Sequence, residues 1–311
     1  MKPTCREILY GAAAMTAGWA CSQNEAPTNT VPAEPYRFRL AICNETFDGW
    51  SFADACKGTV RTGYEAIEIG PHVLSDDPCS LSPERRREMR GIMASEGVAC
   101  VGIHNILKAP AWLHVTTPDE GTRAKSWDYF RGLIDLCADL GGGGLMIFGS
   151  SKQRNTVDGA TREEAMDRLA AGLAGVAPHA EARGVQILME PLAPHLCDVV
   201  NSLDEAVAIV EQVGSPAVQS MFDTHNAVAE TLPHDEAVKK HYSYIKHVHI
   251  NEMDGRHPGT GSYDFKPVLQ ALKDKRYQGW VSLEVFDFDH GPENIAVDSE
   301  KFIRNLEEEL A

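Results

Sequence analysis

The chain is short of positive charge, of aromatics and of paired cysteines, and each shortage excludes a class of function. Its 29 lysines and arginines face 45 acidic residues, a formal net charge of −16. Binding to a nucleic-acid backbone rests largely on Lys and Arg contacts, so this balance argues against a nucleic-acid partner. Aromatics make up only 7% of the residues, and the eight cysteines form no Cys-x-x-Cys pair of the zinc-binding kind. Cys43, Cys56, Cys79, Cys100, Cys137 and Cys197 are scattered and read as small core hydrophobes. After the N-terminus no run is long and apolar enough to span a membrane.

The first 21 residues stand apart. Lys2 and Arg6 precede the small, apolar stretch Ile8 to Met15, and Ala20-Cys21 follows. Together these give the charged, apolar and small-residue order of an export signal. Thr4 to Leu9 resembles a twin-arginine signal with Cys5 in place of the first arginine. Ala20-Cys21 resembles a lipoprotein cleavage site with Gly18 in place of an aliphatic residue. Residues 22–35 are rich in Pro, Thr, Asn and Glu, the composition of a disordered tether. The expectation is an exported protein, periplasmic or lipid-anchored, whose folded part is a single domain over residues 36–311.

Within that domain, strand and helix signals alternate without a dividing linker. Candidate strands are Phe38 to Cys43, Ala66 to Ile69, Ala99 to His104 and Gly144 to Phe148. Four more are Val185 to Glu190, Val218 to Asp223, Ile245 to His249 and Gly279 to Glu284. Helix starts are marked by Ser82-Pro83 and by capping-box spacing at Thr161 to Glu164 and Ser202 to Glu205. Gly97, Gly141, Gly184, Gly214 and Gly279 fall just before strands, where left-handed helix caps belong. The Gly141 to Gly144 run precedes a strand and opens no helix, so it is a turn and not a phosphate cradle. Eight strands alternating with eight helices predict a (β/α)8 barrel, a fold of about 250 residues; a doubly wound open sheet is the second choice.

The last four strands carry the chemistry. Each is an apolar run of the kind buried on both faces, and they end in Glu190, Asp223, His249 and Glu284. In a closed parallel barrel the C-terminal strand ends form the active site. Three carboxylates in one mouth repel unless a cation neutralises them. Oxygen and nitrogen ligands without thiolate suit Mn²⁺, Mg²⁺, Co²⁺ or Zn²⁺. Such an ion, holding a carbonyl oxygen and a neighbouring hydroxyl, acidifies the proton between them. Glu190 and Glu284 on opposite sides could then remove and return that proton. This describes an aldose–ketose isomerase or keto-sugar epimerase working through an enediolate. The rivals are a metal-dependent keto-sugar lyase, hydrolase or dehydratase, and a sugar-binding protein without turnover.

These residues also carry a family resemblance. Met189-Glu190-Pro191, Phe222-Asp223-Thr224-His225, His247-Val248-His249-Ile250-Asn251-Glu252, Arg256 to Phe265 and Ser282-Leu283-Glu284 resemble the xylose-isomerase-like barrels. That superfamily includes ketose 3-epimerases, hydroxypyruvate isomerase, inosose dehydratase and endonuclease IV. The resemblance implies one divalent metal held by Glu190, Asp223, His249 and Glu284, the two glutamates as the acid/base pair, and Arg256 on substrate oxygens.

Two positions depart from the ketose 3-epimerases. Where they place His three residues after the Asp, this chain has Asn226, with His225 one residue earlier; where they carry a second Glu six residues after the first, it has Leu196 beside His195. Both bear on a free ketose as substrate. An endonuclease-IV-like phosphodiesterase would need further zinc ligands from His104, His225 and His257, and the acidic balance and Gly-rich spacing count against it.

Further candidates are His104 at the end of the third strand, a site residue or else a satisfied structural His; Glu68 at the end of the second, orienting substrate or buried as a loop-bonding carboxylate; and Trp112 in the loop after the third, walling the pocket or packing as an ordinary loop residue. His247 lies deeper on the same side of its strand as His249. The partner is a small sugar or keto-sugar, and the oligomeric state is open, a homo-oligomer included. Protein isolated from its own host should lack residues 1–21 by mass spectrometry; a cytosolic chain retaining Met1 would refute export.

Overall fold

The computed structural model describes residues 36–142 and 144–310. The expected export signal and tether lie outside the described residues. Eight parallel strands close in sequence order into a barrel. They are β1 (Arg39–Cys43), β2 (Ala66–Ile69), β3 (Ala99–Ile103), β4 (Leu145–Phe148), β5 (Gln186–Met189), β6 (Val218–Asp223), β7 (Ile245–Ile250) and β8 (Trp280–Leu283). β1 pairs with β8, Arg39 opposite Trp280, and this closes the ring.

The helices among the described residues are α1 (Phe52–Arg61), α2 (Pro71–Leu74), α3 (Pro83–Glu96), α4 (Glu120–Leu140), α5 (Arg162–Arg183), α6 (Leu203–Val213), α7 (His234–His241), α8 (Lys266–Asp274) and α9 (Pro292–Glu309). The extra one against expectation is α2, a single turn after β2 with Pro71 at its start. The fold is therefore the (β/α)8 barrel, and the open sheet is excluded by the β1–β8 pairing.

Local chemistry sets the ends of these helices. Thr161 and Glu164 form a complete capping box at α5. At α6 the box is displaced by one residue: Ser202 accepts from the backbone of Glu205, but the Glu205 carboxylate accepts from Asn201 N. Gly97, Gly184 and Gly214 are left-handed caps as expected. Gly141 has φ 80° with extended ψ, and Gly279 is not among the positive-φ glycines. Gly279 has a different use, since a Cβ there would lie 2.2 Å from the Tyr277 hydroxyl.

The strands are buried on both sides because they divide two cores. Outside the barrel Leu40, Ile42, Ile67, Phe148, Phe222 and Leu283 pack beneath the helices. Inside, a compact plug of Ala41, Ala66, Val101, Leu145, Ile147, Leu188, Met221 and Trp280 fills the lower half. Arg39 stacks on Trp280 with its guanidinium carbon 3.7 Å from the ring centre, at the N-terminal end of that strand. Side chains two residues further along share the inward face: Leu188 leads to Glu190, Met221 to Asp223, His247 to His249 and Ser282 to Glu284. The apolar plug thus forces the polar residues into the upper layers, at the C-terminal mouth.

All six cysteines of the described residues are free, and five are buried, as expected of core filler. No described helix is long and apolar enough to cross a membrane.

Candidate metal and proton-transfer site

Glu190, Asp223, His249 and Glu284 converge as the four strands predict. One ligand-capable atom from each lies within 4.8 Å of all the others, and all four residues are buried. Asp223 and His249 sit opposite each other in the β6–β7 register. Just beyond them Thr224 and Asn251 lock the two strand ends together. The Thr224 hydroxyl donates to the Asn251 carbonyl at 2.6 Å and accepts from the Asn251 backbone N–H at 2.9 Å.

Glu68 decides how His249 is presented. This carboxylate is fully buried, with Oε1 2.9 Å from His249 Nε2 and Oε2 2.8 Å from His247 Nε2. Burial would raise its pKa, but His249 and His247 outweigh that and hold it well below the usual range. An ionised carboxylate only accepts hydrogen bonds, so both imidazole Nε2 atoms must carry hydrogen. In the neutral ring, Nδ1 of His249 is then a bare lone pair. It lies 2.9 Å from Glu284 Oε2 and 4.0 Å from Glu190 Oε1, yet has no hydrogen bond of acceptable geometry. A buried imidazole nitrogen facing two carboxylates suits either a proton or a metal ion. The donor set of three carboxylates and one imidazole fits a hard or borderline divalent cation.

The electrostatics agree. Burial, then Glu284 and Asp223, push the Glu190 pKa well above the ordinary carboxylate value. Burial and then Glu284 raise that of Asp223. For His249 burial alone would lower the pKa, but Glu68 and Glu284 hold it well above normal. Without a cation the cluster therefore retains protons.

The surrounding shell contains residues that sequence reasoning missed. Asn226, buried, donates through Nδ2 to Asp223 Oδ2 at 2.7 Å and reaches Glu190 Oε1 at 3.3 Å, while its Oδ1 accepts from Ala193 N. Its signal was its place three residues after Asp223. Glu45 follows β1 and holds His104 Nε2 at 2.7 Å and His72 Nε2 at 2.7 Å. Its sequence signal is an acid just past the end of the first strand, like those at the ends of the last strands. Arg154 is fully buried and donates to the Phe148 and Glu190 carbonyls at 3.1 and 2.7 Å. Nothing in the sequence marks it. Gly149 leaves room for the site: a Cβ there would stand 2.2 Å from Glu190 Oε2.

The remaining candidates divide. His104 joins the site, 3.9 Å from Glu284 Oε1 and 3.4 Å from Glu68 Oε1. Burial lowers its pKa, but Glu45, Glu68 and Glu284 raise it overall. Glu68 lies under the histidines, fully buried, so of its two readings it is the buried carboxylate and not the substrate contact. His247 is the deeper residue expected, kept neutral chiefly by burial. The His225 backbone N–H donates to Asp223 Oδ1 at 2.8 Å, while its ring leans on Phe286 with centroids 5.0 Å apart.

Four candidates lie apart. Arg256 is bound by Nε and Nη2 to Asp254 at 2.9 and 2.7 Å and stays on an exposed loop. His195 is exposed in the loop after β5. Trp112 is half exposed and packs edge-on against Tyr129 of α4, so it is a helix-packing residue here. His257 groups with His290 and Asp298, away from the four-residue cluster.

Comparison with known proteins comes down on the same barrel. The family model described as "Xylose isomerase-like TIM barrel" matches residues 57–306. A D-psicose 3-epimerase of Ruminiclostridium cellulolyticum is 30% identical over 230 residues, covering 73% of this chain and 75% of its own. A fructoselysine 3-epimerase of Shigella flexneri is 23% identical over 243 residues, covering 74% and 84%. Among solved structures, D-psicose 3-epimerase with D-tagatose from Clostridium cellulolyticum superposes with a TM-score of 0.75 at 20% identity, over 86% of this chain and 99% of that one. At that identity the likeness shows the fold.

The raised groups predict how the cation-free protein responds to pH. A carboxyl whose folded pKa is raised stabilises the fold fully below its unfolded value, about 4.3 for Glu, and loses that contribution as pH rises through the folded value. His249, raised from about 6.5, acts with the same sign. Glu45 and Glu68, held low, withdraw their contribution only at more acid pH. After dialysis against chelator, the melting temperature should fall from about pH 5 to about pH 8, and Glu190→Gln should flatten part of that fall. A melting temperature that climbs across the same range in both proteins would contradict the assignment.

Proposed function

The chain belongs to the xylose isomerase-like TIM barrel family, and from that premise we propose that it is a divalent-metal-dependent epimerase or isomerase of keto-sugars. The observation that carries this reading is the convergence of Glu190, Asp223, His249 and Glu284 at the barrel mouth. The two relatives described above are 3-epimerases of D-psicose and of fructoselysine. The shared element of those names is chemistry at C3 of a ketose, while the rest of the substrate differs. For this chain the substrate class is a keto-sugar or its derivative.

Glu190, Asp223, His249 and Glu284 would hold the ion. When bound, the cation supplies the positive charge that neutralises the carboxylates and polarises a substrate carbonyl. The proton transfers belong to the protein. Glu190 and Glu284 come from β5 and β8 and flank His249, so a sugar carbon between them meets a carboxylate on each face. One removes the carbon-bound proton and the other delivers a proton to the opposite face, which inverts the centre. Asn226 keeps one Glu190 oxygen and one Asp223 oxygen occupied, which aims the remaining oxygens inward. His104, ordered by Glu45, offers a hydrogen-bond donor near Glu284 for a substrate oxygen. Arg256 would have to leave Asp254 to reach the sugar.

Either Glu190→Gln or Glu284→Gln should lower turnover of a ketose about a hundredfold or more, the scale of a lost acid/base group. In heavy water the wild-type product should gain deuterium at the inverted carbon, and chelator should abolish both turnover and exchange. A keto-sugar lyase would show exchange together with a second product fragment. Wild-type rates in both Gln variants would sink the proton-transfer reading and leave metal-dependent hydrolysis ahead.

A further inference from the structure

A second group of metal-capable side chains lies outside the barrel mouth. His257 stands in the loop between β7 and α8, His290 in the loop between β8 and α9, and Asp298 on α9. One ligand-capable atom from each lies within 4.8 Å of the other two. His290 Nε2 is already 3.0 Å from Asp298 Oδ2. The rings of His257 and His290 stack nearly parallel, 16° apart in plane with centroids at 5.1 Å. The three residues line one cavity of about 610 Å³, which also takes in Asp287, Asp289 and Arg256.

Two features distinguish this group from an ordinary surface ion pair. His257 is buried, and its neighbours in the cavity are polar. Three aspartates around the cavity meet a single arginine whose charge Asp254 already engages. The surplus is negative, and it surrounds two imidazoles. Mg²⁺ and Ca²⁺ prefer all-oxygen shells, whereas two imidazoles and a carboxylate suit Zn²⁺ and its transition-metal neighbours.

We infer that His257, His290 and Asp298 form a second cation site, selective for Zn²⁺ or a similar transition-metal ion and separate from the catalytic cluster. Zinc bonds of about 2.0–2.2 Å put tetrahedral ligand atoms about 3.3 Å apart, so atoms now within 4.8 Å of one another need to close by at most about 1.5 Å. Water, Asp287 or Asp289 completes the shell. The ion ties the loop that carries Arg256 to α9. That loop already leans there, since a Cβ on Gly259 would stand 2.7 Å from the Phe302 ring. Its role is to brace the Arg256 loop, and it takes no part in proton transfer.

Zinc content after equilibrium dialysis against Zn²⁺, measured by mass spectrometry of the metal, reads the site directly. The wild-type chain should hold about two ions, and His290→Ala and Asp298→Asn about one each. Both changes are at half-exposed side chains, so the fold should survive them. The double variant Asp223→Ala, His249→Ala should lose the other ion and keep the one at His290. If His290→Ala and Asp298→Asn retain as much zinc as wild type, the second site does not exist. A failure of the catalytic cluster would show separately, as unchanged zinc in the Asp223, His249 variant.

Discussion

The buried Glu68 carboxylate is the interaction on which the rest of the mouth depends. It is ionised, fully enclosed and bonded to two histidines, so its acceptor-only character fixes where their hydrogens sit. His249 consequently turns Nδ1 toward Glu190 and Glu284, where it can take a proton or an ion. An isolated charge in this position would be costly, and the pairing with His247 and His249 makes it tolerable. A protonated or amide side chain at 68 would leave the orientation of His249 undetermined.

The barrel supplies the other constraint. Its lower half is sealed by the small apolar plug, so inward positions near the strand ends are where polar residues can collect. Glu68 and His247 form one layer, and the three carboxylates and His249 form the next. Glu45, Asn226 and Arg154 then attach this layer to loops and strand ends beyond it. Glu190 and Asp223 are raised in pKa by burial and then by neighbouring carboxylates, whereas Glu45 and Glu68, paired with histidines, are lowered. Proton-holding and charge-holding carboxylates are thereby separated by only a few ångströms.

The barrel and the four converging residues were legible because they follow from one-dimensional patterns. Apolar runs of strand length ended in metal-capable side chains at regular intervals, and a closed parallel sheet has only one end where those can meet. What escaped was set by packing across the chain. Arg154 is fully buried between β4 and β5, and no local pattern announces a buried arginine. The retreat of Arg256 to Asp254 depends on a loop conformation that Glu252 pins, its carboxylate accepting from Gly259 N and Tyr263 N at 2.9 and 3.1 Å. Trp112 follows β3, but the loop carries it outward to Tyr129, the packing role and not the pocket wall. The displaced capping box at α6 came from a one-residue choice of acceptor partner that spacing alone does not reveal.

The central claim is that a divalent cation sits among Glu190, Asp223, His249 and Glu284. Anomalous X-ray diffraction from crystals grown with Mn²⁺ tests it most directly. The account predicts one strong peak within bonding distance of all four side chains, with His249 ligating through Nδ1 while Nε2 stays on Glu68. A mouth without a peak, or an ion that bypasses His249, would contradict it.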